Sequence, residues 1–539
     1  MKKIFGLLSI CSIFLLSNAH ELSDPIIEDT GLIIEVINKQ LKEFQDIFDL
    51  STPLNTGVTC AYLLVNGNQN LWREVSGYML REYFPKNNAP NKVVNEDYKN
   101  QILNGTIELV MIYKNSVACM ITKLDSDYYS IRWLSFEDGK WLSNGESVGR
   151  SLSDSRNMFY NNLDKNFARY NQIKIIKSVS TDTLAFVNYL AKHGVDPKAF
   201  FLRALSDYPL VVYGEYHRRK VSWDFLSDLL LDPQFFKTVG TIFVELPACQ
   251  QDELDRFFVS KELDIEILLD IMRTEQLYGW WDRGEYEFLV NLWKLNQTLP
   301  AKKKIRVVAA DEQPPYKFLN TKEDFENFEK NSYERNTRMA GEIEQVVKTK
   351  TDKRNCLFIV GYTHAFKSHV PIIEGEEPTL SAGAQLVQRL SPENVFVIFQ
   401  HAPMGTNRGA LGFIRQGLFD AAFEKIGNKP VAFYLSGSPF GTEPFDANYE
   451  MSLDSRVGNF EDNFDGYFFL QPIKEEDSDY ILYDIWSDKF VDEMKRRATL
   501  DNFDLNRWLN LDDVITKEVI IKAFMDKYEG KKRWGHLFE

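Results

Sequence analysis

Cysteine is scarce, with five in 539 residues, and the first of them, Cys11, lies inside a leading apolar run. The other four, Cys60, Cys119, Cys249 and Cys356, include no CxxC pair and no spacing that builds a zinc site. A disulfide scaffold and thiol-based catalysis are therefore not indicated. One bridge between Cys60 and Cys119 stays open beside the simpler reading of buried thiols. Basic charge is also short: 63 Lys and Arg stand against 78 Asp and Glu, a net charge of -15. That excludes a nucleic-acid binder working by phosphate neutralisation and disfavours docking on an anionic membrane. The 29 Gly and 19 Pro are too few for a collagenous or disordered chain. Motifs are missing too. There is no P-loop, no GxGxxG and no HExxH. Leu435-Ser436-Gly437-Ser438 lacks the first glycine of a nucleophile elbow, which disfavours a serine hydrolase.

Long apolar runs are absent after the first. Lys2 and Lys3 precede the run from Ile4 to Leu16, and Ser17-Asn18-Ala19 follows with small residues at the positions a signal peptidase needs. The run is shorter than the roughly 20 residues of a membrane span. Residues 1–19 therefore read as a cleavable signal peptide, and the expected location is secreted or periplasmic. No integral membrane association is expected. Removing residues 1–19 takes away two lysines and no acid, and the net charge becomes -17.

Residues 30 to about 50 carry apolar side chains at helical spacing. The runs TCAYLLVN, TIELVMIY, VACMITKL and YYSIRWLSF follow as predicted strands, punctuated by Asn66-Gly67, Asn104-Gly105 and Asp138-Gly139. Residues 25–175 thus form an expected α+β domain of unknown role. Buried strands and amphipathic helices then alternate, the pattern of parallel βα units. The strands are expected at 210–215, 241–247, 305–311, 356–362, 395–402, 431–437 and 466–473. Residues 206–475 are one α/β domain, a mostly parallel sheet with helices on both faces. A long helix is expected from Lys322 to Lys348, and residues 476–539 form a helical C-terminal appendix.

In open parallel sheets, ligands bind beyond the carboxyl ends of the strands. This sequence places chemistry there repeatedly. The first strand ends in Gly214-Glu215-Tyr216-His217, the second holds Glu245, and the third ends at Asp311. The fourth runs into Gly361-Tyr362-Thr363-His364, and the fifth ends at His401. An imidazole titrating near neutrality takes a proton from water while a carboxylate orients it, which is the core of general acid–base hydrolysis. Each residue has a bland rival. His217 could open a solvated loop with Arg218, Arg219 and Lys220, whereas Glu245, following buried strand, needs a partner wherever it sits.

The ordered set resembles the superfamily that unites erythromycin-esterase-like hydrolases, ChaN-like haem-binding proteins and TraB/TIKI proteins. It comprises GExH (Gly214, Glu215, His217), the Glu of FVELP (Glu245), the Asp of VVAAD (Asp311), Arg335-Asn336 and GxxH (Gly361, His364). The segment from Trp281 through Arg283, Glu285 and Tyr286 to Asn296 is similar to the esterase branch, as is TLSAGAQL. The resemblance implies that His217 activates water, that Glu215 and Glu245 orient it or accept protons, and that Arg335 and His364 stabilise an oxyanion or bind substrate. Asp311, Tyr216, Tyr362 and His401 are the substrate-binding candidates. Two departures matter. One residue separates Glu215 from His217, as in the ChaN-like branch, where the antibiotic esterases have two. Gly361 stands where that esterase branch tends to have a histidine.

The expectation is a secreted hydrolase acting on an ester or amide of a small-molecule or peptide substrate, with no cofactor required. Two alternatives carry cofactors. One is ChaN-like haem binding through Tyr216, Tyr362 or a histidine, and the other a TIKI-like peptidase using a divalent metal. A non-enzymatic alternative makes residues 25–175 an interaction module on an inactive scaffold.

Overall fold

The computed structural model describes residues 26–27, 31–68, 71–77, 96–177, 180–275, 277–331, 335–370, 379–403, 413–445, 457–478, 480–509 and 514–535. The expected signal peptide lies outside them. The described residues fall into two compact units, one up to Lys177 and one from Ser180 onward.

The first unit is an antiparallel sheet of six strands in sequence order: β1 Ile26–Ile27, β2 Leu32–Gln40, β3 Thr106–Tyr113, β4 Val117–Asp125, β5 Tyr128–Glu137 and β6 Lys140–Gly149. Two expectations fail here. The segment opening at residue 30 is the strand β2, not a helix. Both faces of this sheet are covered, so successive apolar residues are buried and mimic helical density. Leu32 and Ile34 join one core and Ile37 the other. Its Ile and Val side chains suit a pleated surface better than a helix. Conversely, the expected strand TCAYLLVN lies in the helix Pro53–Asn66. Thr52 caps it by accepting from the Asn55 amide, Pro53 occupies the first turn, and Gly67 closes it in the left-handed conformation. Strand β6 is too polar to announce itself. Cys60 and Cys119 belong to separate core clusters, and all four described cysteines are free thiols.

The second unit is the α/β body. Its sheet is built from β7 Leu210–Glu215, β8 Val239–Pro247, β9 Arg306–Asp311, β10 Asn355–Gly361, β13 Val395–Gln400, β14 Val431–Tyr434 and β15 Gly466–Phe469. A separate hairpin pairs β11 His369–Val370 with β12 Thr379–Leu380. The sheet order is β14-β15-β13-β7-β10-β8-β9, parallel except for β14 against β15. Every residue of β7 is buried. Val211 and Tyr213 join one core, Leu210 and Val212 the other, so helices cover both faces. Each such aliphatic side chain contributes about 1.5–3 kcal/mol on burial. The expected single helix at 322–348 is two, Lys322–Asn331 and Arg335–Thr349. The C-terminal segment is helical, as expected, and packs onto this body. Tyr480, Ile485, Trp486, Phe490 and Phe524 pack in the same core cluster as Val211 and Ile242.

Candidate active site

The order β7-β10-β8-β9 sets four carboxyl ends side by side, and neighbouring strands lie only about 4.8 Å apart. Topology alone therefore gathers residues that are far apart in the chain. At the end of β7, Glu215 Oε1 lies 2.5 Å from Nδ1 of His217. The other ring nitrogen, Nε2, is 4.0 Å from Glu245 Oε2 on β8. Glu245 accepts from the Gly361 amide at 2.7 Å and, through Oε1, from Arg335 Nη2 at 2.7 Å. Arg335 also holds Asp311 on β9 in a two-pronged grip, with Nε to Oδ1 and Nη2 to Oδ2 both at 2.5 Å. Gln313 donates to the same Asp311 carboxylate. His364, in the short helix after β10, places Nε2 3.5 Å from Glu245 Oε1. Five residues read as catalytic from the sequence, Glu215, His217, Glu245, Arg335 and His364, thus surround one point, with Asp311 beneath them.

The two histidines occupy opposite charge states. Burial disfavours charge on His217, but the Glu215 and Glu245 carboxylates and the bond to Glu215 outweigh it and raise its pKa to about 9. The imidazole keeps an open edge, with 37 % of the side chain exposed. Burial lowers His364 as well, and Arg335 adds to that against the pull of Glu245, leaving it at about 4. His364 is therefore neutral at pH 7. Its tautomer follows from its partner. Asn336 Oδ1 accepts from the Ala382 amide, so it is an acceptor, and Nδ1–H of His364 donates to it at 2.7 Å. The lone pair is left on Nε2, facing the site. Burial pushes Glu245 up, but His217, His364, Arg335 and the Gly361 amide together pull it down to about 2.

His401 is not part of this group. It is buried, its Nδ1 is 2.7 Å from the Tyr467 hydroxyl and its Nε2 3.1 Å from Asp420, so it is a satisfied core histidine. Tyr216 and Tyr362 stack on each other at 5.7 Å between centroids, and Trp534 meets Tyr216 edge-on. Both rings are engaged in packing beside the site.

Several residues escaped the sequence reading. Asp282 is fully buried and accepts from the Arg218 amide and from Trp223 Nε1. Burial and Glu215 raise its pKa to about 6. Glu275 and Glu285 are buried near Glu245, and burial and the neighbouring carboxylates, Glu285 for the first and Asp282 for the second, push both well above the usual carboxylate range. Trp280 packs edge-on against the His217 ring at 4.9 Å. Asp282 and Glu285 fall within the segment whose likeness to the esterase branch was legible, and Asp before Arg283-Gly284-Glu285 is also a helix-cap signal.

Among the described residues, no three His, Cys, Asp or Glu side chains are placed to hold a metal ion. The central carboxylates are bonded to Arg335, Gln313, the Gly361 amide and His217, so this donor set does not fit a divalent cation.

No family model matches the chain, and no curated protein does. Solved structures do. An erythromycin esterase in its open conformation is 11% identical, with 50% of this chain covering 92% of that one at a TM-score of 0.35. Haem-bound ChaN of Campylobacter jejuni is 14% identical, with coverage of 38% and 86% and a TM-score of 0.26. A succinoglycan biosynthesis protein is 12% identical, with coverage of 56% and 97% and a TM-score of 0.36.

Proposed function

We propose that this chain is an exported hydrolase in which the Glu215–His217 pair activates a water molecule for attack on an ester or amide of a small-molecule or peptidic substrate. The observation that carries the reading is the relay from Glu215 Oε1 through His217 to Nε2, which opens toward Glu245 and Arg335. Glu215 fixes the ring orientation and puts the proton on Nδ1, so the deprotonated ring has its lone pair at Nε2, where a water is taken. The 4.0 Å from Nε2 to Glu245 Oε2 suits an oxygen held by both groups. Arg335 uses Nε and Nη2 on carboxylates, and its Nη1, which bonds to none of the described residues, serves the oxygen on which charge develops. Neutral His364, with its Nε2 lone pair toward the site, orients a donor on the substrate or the attacking water. Export is supported by Lys2, Lys3, the Ile4–Leu16 run and Ser17-Asn18-Ala19.

The test is a panel of esters and amides given to the purified chain and to His217→Ala. A substrate turned over by the wild type and slowed about 1,000-fold in the variant supports the reading. Equal turnover by both proteins sinks it.

A further inference from the structure

The backbone that carries His217 is in a costly conformation. Arg218, the next residue, has φ +62°, the left-handed region that L side chains rarely adopt. A non-glycine residue there costs of order 1 kcal/mol and persists only where its surroundings hold it. Glycine would remove the strain but also the side chain, and the Arg218 guanidinium lies 3.8 Å over the Trp281 ring. The turn is gripped from several directions. Asp282 Oδ2 accepts from the Arg218 amide at 2.9 Å. Arg533, near the chain's end, donates from Nη2 to the His217 carbonyl at 2.8 Å. The buried Arg219 guanidinium is bonded to Glu476 and to the His401 carbonyl. Trp534 Nε1 reaches the same Glu476 carboxylate.

Two of these grips come from Asp282 and Arg533. Asp282 divides its oxygens. Oδ1 caps the helix Arg283–Thr298 through the Gly284 and Glu285 amides, and Oδ2 holds the turn. The segment Lys531–Arg533 lies antiparallel along Glu476–Ser478, through the amide of Ser478 to Lys531 and that of Arg533 to Glu476, which aims the Arg533 side chain under His217.

We infer that Asp282 and Arg533 are positioning residues for the proposed hydrolysis, clamping the strained His217–Arg218 turn from both sides so that His217 keeps its bond to Glu215 and its Nε2 direction. The inference rests on the hydrolase reading for its consequence in turnover, but not for its geometry. Asp282→Asn separates the two tasks of that side chain. Asparagine still caps the helix through its oxygen, while its amide then faces the Arg218 N–H and Trp223 Nε1–H, donor against donor. Arg533→Met keeps bulk and removes the donor, and Arg533→Lys restores one.

The test uses the full chain and two readouts. One is the downfield proton resonance of His217 Nδ1–H, assigned by its loss in His217→Gln. The other is kcat and KM on a substrate found in the ester and amide panel. The expected result is a shifted or vanished resonance in Asp282→Asn and Arg533→Met, its recovery in Arg533→Lys, and kcat lowered roughly 10- to 100-fold with KM little changed. An unaltered resonance in both folded variants overturns the inference. So does loss of the far-UV circular dichroism spectrum in both, which would make the clamp a fold contact only. If even the wild type turns over nothing while the resonance moves as expected, the hydrolase reading fails and the positioning role stands.

Discussion

Gly361 lies directly against the ring of His217. A Cβ built on it would stand 2.5 Å from Nε2 and 2.6 Å from Cε1. Its φ of -52° is open to any residue, so the requirement for glycine is one of space, not of backbone conformation. The same residue donates its amide to Glu245. The space that a side chain at position 361 would take is occupied by the ring of His217.

Gly361→Ala follows from this contact. The methyl group displaces the imidazole while leaving the backbone unstrained, so the fold is retained and the chemistry suffers. A fall in kcat/KM of about 100-fold with an unchanged circular dichroism spectrum is expected. Activity within threefold of wild type would mean that the His217 ring does not work from this position.

The charge on His217 sets a pH dependence. The proposed base is the neutral ring, and the carboxylates hold its pKa at about 9. The ratio kcat/KM of the free enzyme should therefore rise with pH up to about 9 and then level off. Glu215→Gln removes the nearest negative charge, and the limb should move down toward the ordinary histidine value near 6.5. A profile that falls over the same range would make His217 the acid rather than the base.

Much of this site was legible because strand ends are legible. Continuous buried runs such as LVVYGE and TIFVELP mark parallel strands, and the residue at the end of each is then a candidate by position alone. The strand order was not readable, so His401 looked equivalent to His217 and His364 although β13 carries it to the other side of β7, between Tyr467 and Asp420. Contacts made by distant loops were equally hidden. Nothing in the sequence near Arg533 states that it meets the carbonyl of His217, a pairing that depends on how residues 476–535 fold back onto the sheet. In the first unit, coverage of both sheet faces erased the alternation that identifies a strand, and β2 read as a helix.

Arg335 is a structural tie as well as a group of the proposed mechanism. It joins Asp311 and Glu245, both of which lie in the interior. Arg335→Met leaves the buried Asp311 carboxylate without a counter-charge and Glu245 with only the His217 imidazolium beside it, a change that costs about 3 kcal/mol when one member of a buried pair is removed. Urea denaturation at pH 7 should show that loss. Pairing the change with Asp311→Asn should recover part of it, because one uncompensated charge is then gone. Equal stabilities of the wild type and Arg335→Met would show that the network is not closed in solution.

His364 makes a separate prediction for acid stability. Its folded pKa is about 4, below the ordinary 6.5 of a histidine in the unfolded chain. Between those values the unfolded state binds a proton that the folded state refuses, so stability rises with pH across the window and is lost as pH falls from 6.5 toward 4. One such group accounts for about 2 kcal/mol between pH 6.5 and 4.5. His364→Asn has nothing to protonate. Its melting temperature should therefore fall less than that of the wild type over this range, even if it begins lower at pH 7 through loss of the bond to Asn336. Other acids that titrate in the window, Asp282 among them, are present in both proteins, and the comparison isolates the contribution of the histidine. Parallel stability curves from pH 7 to 4.5 would mean that His364 takes up its proton in the folded protein as readily as in the unfolded one, and the assignment of a neutral ring with its lone pair on Nε2 would fall with it.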